Sequence, residues 1–407
     1  LDAAVRPILA LKVRMGLFEQ PYVDDGLLEQ VVALPEHRQA ARLAAQRSTV
    51  LLRNQGGLLP LSRNLKNVAV IGPLADSKEA TEGSWMVFGH QPAAVTVLQG
   101  IRAKLPDARV DYAPGPDIRR DFTSPFEDFD LQAKRPIQAP EEAEAAFQAA
   151  VGTARGADVV VMVLGENADM AGEAASRGSL DLPGRQEELL KAVVALGKPV
   201  VLVLLNGRPL SIVWAAEHVP AILEAWEPGS EGGNAVADIL FGDANPGGKL
   251  PVTFPRSGSH APLYYARTLT HAPEGSFMYR SRYWDSPTTP LYPFGFGLSY
   301  TTFSIDNLRL SASQVKVGAA VSVTADVTNT GALAGDEVVQ LYIHQKAGSD
   351  SRPMRELKGF QRLSLQPGET KTVTFRLGPD ELGYWSTSAG KWLQEAADFD
   401  IWVGAFY

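Results

Sequence analysis

The chain has 407 residues, 45% of them apolar and 21% charged, with a formal net charge of −8 and no cysteine. That length predicts two or three domains at roughly 150 residues each, and the missing cysteines exclude disulfides, thiolate metal sites and cysteine nucleophiles. A mild, spread acidic charge without a basic run argues against a nucleic-acid partner, and no stretch reaches the ~20 apolar residues that span a bilayer.

Val5, Ile8, Leu9, Leu11, Val13 and Leu17 give Leu1–Phe18 a broad apolar helical face that ends at Gly16. The chain starts inside this helical pattern, without Met and without the charged, apolar, small-residue order of a signal peptide. It is therefore expected to be a piece of a longer protein. Pro21-Tyr22 opens a linker, and a second helix is predicted over Glu36–Leu52.

Asn67–Ile71 reads as a buried strand closed by Gly72-Pro73. Helix Val95–Leu105, strand Arg109–Tyr112, helix Glu141–Arg155 and strand Ala157–Leu164 follow. Next come helix Gln186–Leu196, strands Pro199–Leu205 and Ala221–Trp226, helix Gly232–Phe241, and an edge strand at Leu250–Phe254. Strands alternating with helices of this length predict parallel βαβ units, so residues 50–255 form an α/β domain with a mostly parallel sheet. Residues 256–300 change to Pro, Ser, Tyr and Arg without periodicity and read as a linker. From 301 to 407, two-residue alternation at Val321–Val327, Val338–Ile343, Thr372–Leu377 and Phe399–Val403 predicts an all-β sandwich. The turns Asn329-Thr330-Gly331 and Gln366-Pro367-Gly368 lie between these strands.

The candidate chemistry sits after the apolar strand at 157–164. Ligands of α/β folds bind at the carboxyl ends of such strands, and the segment 165–177 carries Glu166, Asp169, Glu173, Ser176 and Arg177 among small residues. Glu173, flanked by Gly172 and Ala174, has the chemistry of a general acid; equally, it could be a loop glutamate paired with Arg177. Glu166 could bind a hydroxyl or serve the backbone, Ser176 and Arg177 could hydrogen-bond a polar ligand as substrate-binding residues, Arg177 could equally clamp Glu166 or Asp181, and Asp169 could be solvated. Trp85, in Gly83-Ser84-Trp85, offers a flat face for stacking on a sugar. Other signals fail. Gly229-Ser230-Glu231-Gly232-Gly233 lacks the Lys-Ser/Thr of a phosphate loop, the six histidines show no metal-ligand spacing, and no Gly-x-Ser-x-Gly elbow exists.

In order along the chain, Val13-Arg14-Met15-Gly16-Leu17-Phe18, Val50-Leu51-Leu52-Arg53-Asn54, Val70-Ile71-Gly72-Pro73-Leu74-Ala75-Asp76 and Gly83-Ser84-Trp85 form one set of motifs. Gly165-Glu166, Glu173-Ala174-Ala175-Ser176-Arg177, Leu205-Asn206-Gly207-Arg208-Pro209 and Glu231-Gly232-Gly233-Asn234-Ala235 continue it. Gly248-Lys249-Leu250-Pro251 and Tyr292-Pro293-Phe294-Gly295-Phe296-Gly297-Leu298-Ser299-Tyr300-Thr301 complete it. Over essentially its whole length the chain resembles the C-terminal part of bacterial β-glucosidases of glycoside hydrolase family 3.

The resemblance implies a (β/α)8 barrel, of which residues 1–49 hold the last helix and a linker. An α/β sandwich and a fibronectin type III-like domain follow, and the chain's end leaves one more strand expected beyond Tyr407. It also implies retaining, exo-acting hydrolysis of terminal β-D-glucosyl residues without cofactor or metal. Glu173 matches the acid/base, with Glu166 in reserve, and Trp85 matches the aromatic flanking the leaving-group side. Ser176 and Arg177 form the setting of the acid/base. The nucleophilic Asp belongs to a barrel segment outside these 407 residues, so the chain alone is expected to be incomplete. A homodimer stays open, and the resemblance implies a periplasmic or secreted enzyme. A non-catalytic carbohydrate-binding or accessory module is the alternative reading.

Overall fold

The structure is a computed structural model that describes residues 1–24, 26–31, 34–86, 93–118, 138–173, 175–268 and 283–406. Part of the predicted linker (269–282), three residues of the N-terminal segment (25 and 32–33), Ala174 of the quoted motifs and the last residue, Tyr407, lie outside the described residues. The chain divides into two compact units, Leu1–Ala41 and Arg42–Tyr407. In the first, α1 (Asp2–Arg14) buries no residue, and Val5, Ile8, Leu9, Leu11 and Val13 all stand exposed. A short α2 (Leu27–Val31) follows.

α3 (Pro35–Ser48) ends four residues before the predicted boundary. Thr49 donates its hydroxyl to Ala45 O at 2.8 Å, and the next residues form β1 (Val50–Asn54), whose Val50, Leu51 and Leu52 are buried. Three consecutive apolar residues cannot all face the core from one helix side, but a covered strand buries them on both faces.

The sheet continues through β2 (Asn67–Ile71), α4 (Lys78–Glu82), α5 (Val97–Lys104), β3 (Arg109–Ala113), α6 (Pro140–Arg155), β4 (Val159–Gly165) and α7 (Gln186–Val194). β5 (Val200–Leu205), α8 (Val213–His218), β6 (Ala221–Trp226) and α9 (Gly232–Leu240) complete it. The strand order is β1-β6-β5-β4-β2-β3; β1 runs antiparallel to β6 and the other pairs are parallel. Every residue of β4 is buried. Its Val160, Met162 and Leu164 face one core with Phe147, Leu189 and Leu190. Val159, Val161 and Val163 face the other with Leu98, Ile101 and Val236. That two-sided burial is why the strand reads as an unbroken apolar run. The edge strand predicted at 250–254 is absent. Phe254 makes only an isolated bridge to Tyr292, Pro251 and Pro255 remove backbone donors from the stretch, and β1 occupies the sheet edge.

The all-β part is a sandwich of two three-stranded antiparallel sheets. One is formed by β7 (Phe303–Leu310), β8 (Val321–Asn329) and β11 (Thr370–Leu377), the other by β9 (Gly335–Gln345), β10 (Glu356–Leu365) and β14 (Phe399–Gly404). Between β11 and β14 lie α10 (Pro379–Leu382) and the hairpin β12 (Tyr384–Ser386) and β13 (Lys391–Leu393). Val321, Val323, Ala325 and Val327 alternate inward to meet Val339, Leu341 and Ile343. β7 and β10 escape the pattern reading because their faces are mostly half-exposed or exposed. The sandwich is fixed to the α/β domain by a largely buried ion pair, Lys249 Nζ to Glu337 Oε1 at 2.8 Å. Asn245 Nδ2 donates to Ala334 O at 2.9 Å and Gln340 Nε2 to Gly295 O at 3.1 Å.

Candidate functional site

Because β2, β4, β5 and β6 are parallel, their carboxyl ends share one edge of the sheet. The chain leaves β2 toward β3 on one side and resumes at β4 on the other, so a topological switch point lies between β2 and β4. Ligand crevices of open α/β sheets form at such points. Trp85 lies in the connection after β2 and Glu173 in the connection after β4, so the two elements flanking the switch supply both candidates.

The β4 connection begins at Gly165, whose φ is +140°. A Cβ there would sit 1.9 Å from Leu205 O, so only glycine lets β4 run this close to the end of β5. Gln186 then closes the base of the loop. Its side chain accepts from Gly165 N at 3.0 Å and donates to Gly165 O at 2.7 Å, copying a strand neighbour from the first turn of α7. Between these anchors Glu173 and Ser176 are exposed. Gly172 lies against Trp85: an atom at its Cβ position would be 3.5 Å from Trp85 Cε2 and from Ser84 Oγ. Trp85 is 67% exposed, so its ring presents an open apolar face next to the carboxylate-bearing loop.

Glu166 differs sharply from Glu173. It is 2% exposed; its Oε1 accepts from Arg177 Nη1 at 2.7 Å, and Arg208 Nε lies 3.3 Å from the same oxygen. Arg177 Nη2 also donates to Asp181 O at 2.8 Å. Of the readings left open for Arg177, the structure therefore shows the clamp, on Glu166 and the Asp181 backbone together. Among the described residues Glu173 makes no ion pair. Asp169 is half-buried and has its own interactions.

Three participating side chains were not singled out from the sequence. Glu227, directly after β6, accepts from Ser84 N at 3.1 Å and Ser84 Oγ at 3.0 Å, and so holds the connection that carries Trp85. Arg208 donates from Nη2 to Met170 O and to Ala175 O, the latter at 2.8 Å. Glu224, in β6, is fully buried. Its Oε1 accepts from Trp226 N at 2.9 Å, and Asn206 Nδ2 lies 3.2 Å from each carboxylate oxygen. The usable signal was position: Arg208 and Glu227 each lie within three residues of a strand's carboxyl end. Trp226, at φ +59°, is a bulky residue in left-handed backbone, a strained conformation tolerated when its surroundings hold it. It stands between Glu224, paired within the sheet, and Glu227, which reaches the Ser84 loop.

Burial pushes the Glu224 carboxyl up to about 8, and the nearby Glu166 charge adds to the rise. Its folded pKa thus stands above its unfolded one. The stabilisation is fully present below the ordinary carboxylate range and is lost as pH rises through that range towards about 8, amounting to a few kcal/mol. Glu224→Gln keeps the neutral shape and removes this titration. The variant is expected to match the parent near pH 5 and to melt at higher temperature near pH 8. Melting curves that stay parallel across this range contradict the assignment.

Among the described residues, no group of three or more His, Asp or Glu is placed to hold a metal ion, and no helix is long and apolar enough to cross a membrane.

Comparison with known proteins adds three findings. The family model described as the glycosyl hydrolase family 3 C-terminal domain matches residues 49–300, and a fibronectin type III-like domain matches residues 337–406. A periplasmic β-glucosidase of Salmonella typhimurium is 43% identical over 414 residues, covering 99% of this chain and 54% of that protein. A β-xylosidase of Formosa agariphila is 39% identical, covering 100% and 53%. Among solved structures, the β-glucosidase of Listeria innocua in complex with isofagomine superposes with a TM-score of 0.87 at 35% identity, over 100% of this chain and 54% of that one. The chain thus spans about half the length of the curated relatives it matches.

Proposed function

The chain belongs to glycosyl hydrolase family 3, and on that premise we propose that it is the C-terminal part of a retaining, exo-acting β-glucosidase. Glu173 serves as general acid/base, and an Asp nucleophile comes from an N-terminal (β/α)8 barrel segment. The observation that carries this reading is the placing of Glu173. It is an exposed carboxyl at the switch point, and its loop packs against an open tryptophan ring. The burial of the Glu166 carboxylate and its hold by Arg177 support preferring Glu173 over Glu166 for the role. Retaining hydrolysis needs a second carboxyl roughly 5–5.5 Å from the first, and the proposal assigns it to the barrel.

Residues 1–49 supply the last barrel helix and a linker, 50–255 the α/β domain, 256–300 a connection and 301–407 the fibronectin type III-like domain. The exposed apolar residues of α1 fit a helix made to pack on the rest of a barrel. Trp85 flanks the leaving group, and Arg177 and Ser176 form the setting of Glu173. A periplasmic or secreted location is supported by the name of the Salmonella relative.

In the chemistry this implies, the Asp attacks the anomeric carbon while the Glu173 carboxylic acid protonates the departing oxygen. The resulting carboxylate then takes a proton from the water that releases glucose. The test is reconstitution. The chain is mixed with the barrel segment, and hydrolysis of an aryl β-glucoside is followed. Activity is expected only in the mixture and should vanish when the barrel's nucleophilic Asp is replaced. A mixture that binds glucosides without turning them over contradicts the proposal.

A further inference from the structure

We propose that Arg208 is the positioning residue of the acid/base loop, an inference that rests on the assignment of Glu173. Its Nη2 donates to two carbonyls that bracket Glu173, Met170 O three residues before it and Ala175 O two residues after it. The loop is thereby pinched across its tip by one guanidinium group. Without such a donor both carbonyls would need other partners, and the backbone between them would be free to swing the carboxyl.

Arg208 is itself held from behind. Its Nε lies 3.3 Å from Glu166 Oε1, an ion pair without a well-aimed hydrogen bond. Arg177 Nη1 takes up the same oxygen at 2.7 Å. Glu166 is attached to the sheet through its own backbone N, which donates to Leu205 O at 2.9 Å. Arg208 follows β5 by three residues, and its O accepts from Asn206 Nδ2 at 2.8 Å. The chain of contacts therefore runs from the rigid ends of β4 and β5 through Glu166 and Arg208 to the two backbone carbonyls that frame Glu173. Arginine suits this task because its planar fork reaches several acceptors in fixed geometry, which a lysine ammonium cannot reproduce.

The consequence is specific. A general acid displaced by about an ångström protonates a leaving group poorly, with losses reaching a hundredfold. A leaving group that departs without protonation is indifferent to that displacement. The experiment uses the chain reconstituted with its barrel segment and compares kcat/KM for cellobiose with kcat/KM for dinitrophenyl β-glucoside. Both values report the first, glycosylation half of the reaction. For Arg208→Met the ratio of the two is expected to fall about 10- to 100-fold, with the activated substrate within about threefold of the parent. The same ratio should fall in Arg208→Lys, which keeps the charge beside Glu166 and covers the case in which the methionine variant does not fold.

Equal losses on both substrates, or an unchanged ratio in a folded variant, overturn the inference. Glu173→Ala separates the two levels. If that variant leaves the ratio unchanged, the acid/base assignment itself fails. If it lowers the ratio and the Arg208 variants do not, only the positioning role fails.

Discussion

Glu173→Ala in the reconstituted enzyme is expected to lower kcat/KM for an unactivated disaccharide by about a hundred- to ten-thousand-fold, the usual contribution of a general acid. The loss should shrink as the leaving group improves, because a dinitrophenolate departs without a proton. The second half of the reaction behaves differently. Without a base at position 173, water attacks the glycosyl-enzyme slowly, so turnover of the activated substrate becomes limited by release of the intermediate. Azide, an anion that needs no deprotonation, should then restore turnover and yield a glycosyl azide. Rates on cellobiose equal to those of the parent enzyme would sink the assignment, and azide insensitivity on the activated substrate would argue that Glu173 takes no part in the second step. The exposure of Glu173 and the absence of an ion pair among the described residues mean that the alanine leaves no buried charge behind, so stability should hold while activity falls.

The second large effect concerns the strand end beneath the loop. Gly165→Ala is expected to destabilise the fold by at least about 3 kcal/mol, since it combines a disfavoured backbone conformation with a backbone clash. The new Cβ would meet Leu205 O at 1.9 Å and Leu205 C at 2.8 Å. Neither is the end of a flexible side chain, so β4 and β5 must part, and the 2.9 Å bond from Glu166 N to Leu205 O goes with them. Gly197→Ala is the control, for it has φ +70° and nothing within 4 Å of its Cβ position; it should cost only about 1 kcal/mol of backbone strain. Calorimetric melting of both variants decides the matter: similar drops would show that backbone strain, and not the approach to β5, governs Gly165.

Much of the α/β sheet was legible because burial on both faces leaves a plain mark. Val159–Leu164 and Val200–Leu205 are apolar at every position, and such runs have few readings beyond a covered parallel strand. The failures have equally physical causes. Val50–Leu52 is also apolar, but it follows a helix without a Gly or Pro break, so only its pairing with β6 reveals it as part of a strand. Leu250–Phe254 has strand composition, yet it pairs only at its two ends, with residues 291–296, and never extends into a ladder. β7 and β10 lie on half-solvated faces where Arg, Lys and Gln dilute the alternation.

At the candidate site, Glu173 and Trp85 could be picked out because acids and tryptophans among small residues are conspicuous. Arg208 and Glu227 act on backbone groups of loops distant in sequence, Met170 and Ala175 in one case and Ser84 in the other. No spacing rule encodes such contacts. Glu224 gave no signal at all, since a lone acid at the end of an apolar run shows nothing of the β1 and β5 neighbours that bury it.

The two hydrogen bonds by which Gln186 grips Gly165 bear on how this region can change over evolutionary time. They join the first and last residues of the excursion between β4 and α7, so the closure entropy of the loop is settled at its neck and not by its contents. Doubling such a loop adds only about 0.6 kcal/mol. Insertions and deletions between residues 166 and 185 can therefore accumulate while the sheet below stays as it is. The segment behaves as a cassette whose length can change, provided the glycine and the glutamine at its neck are kept and Arg208 still meets the two carbonyls around Glu173.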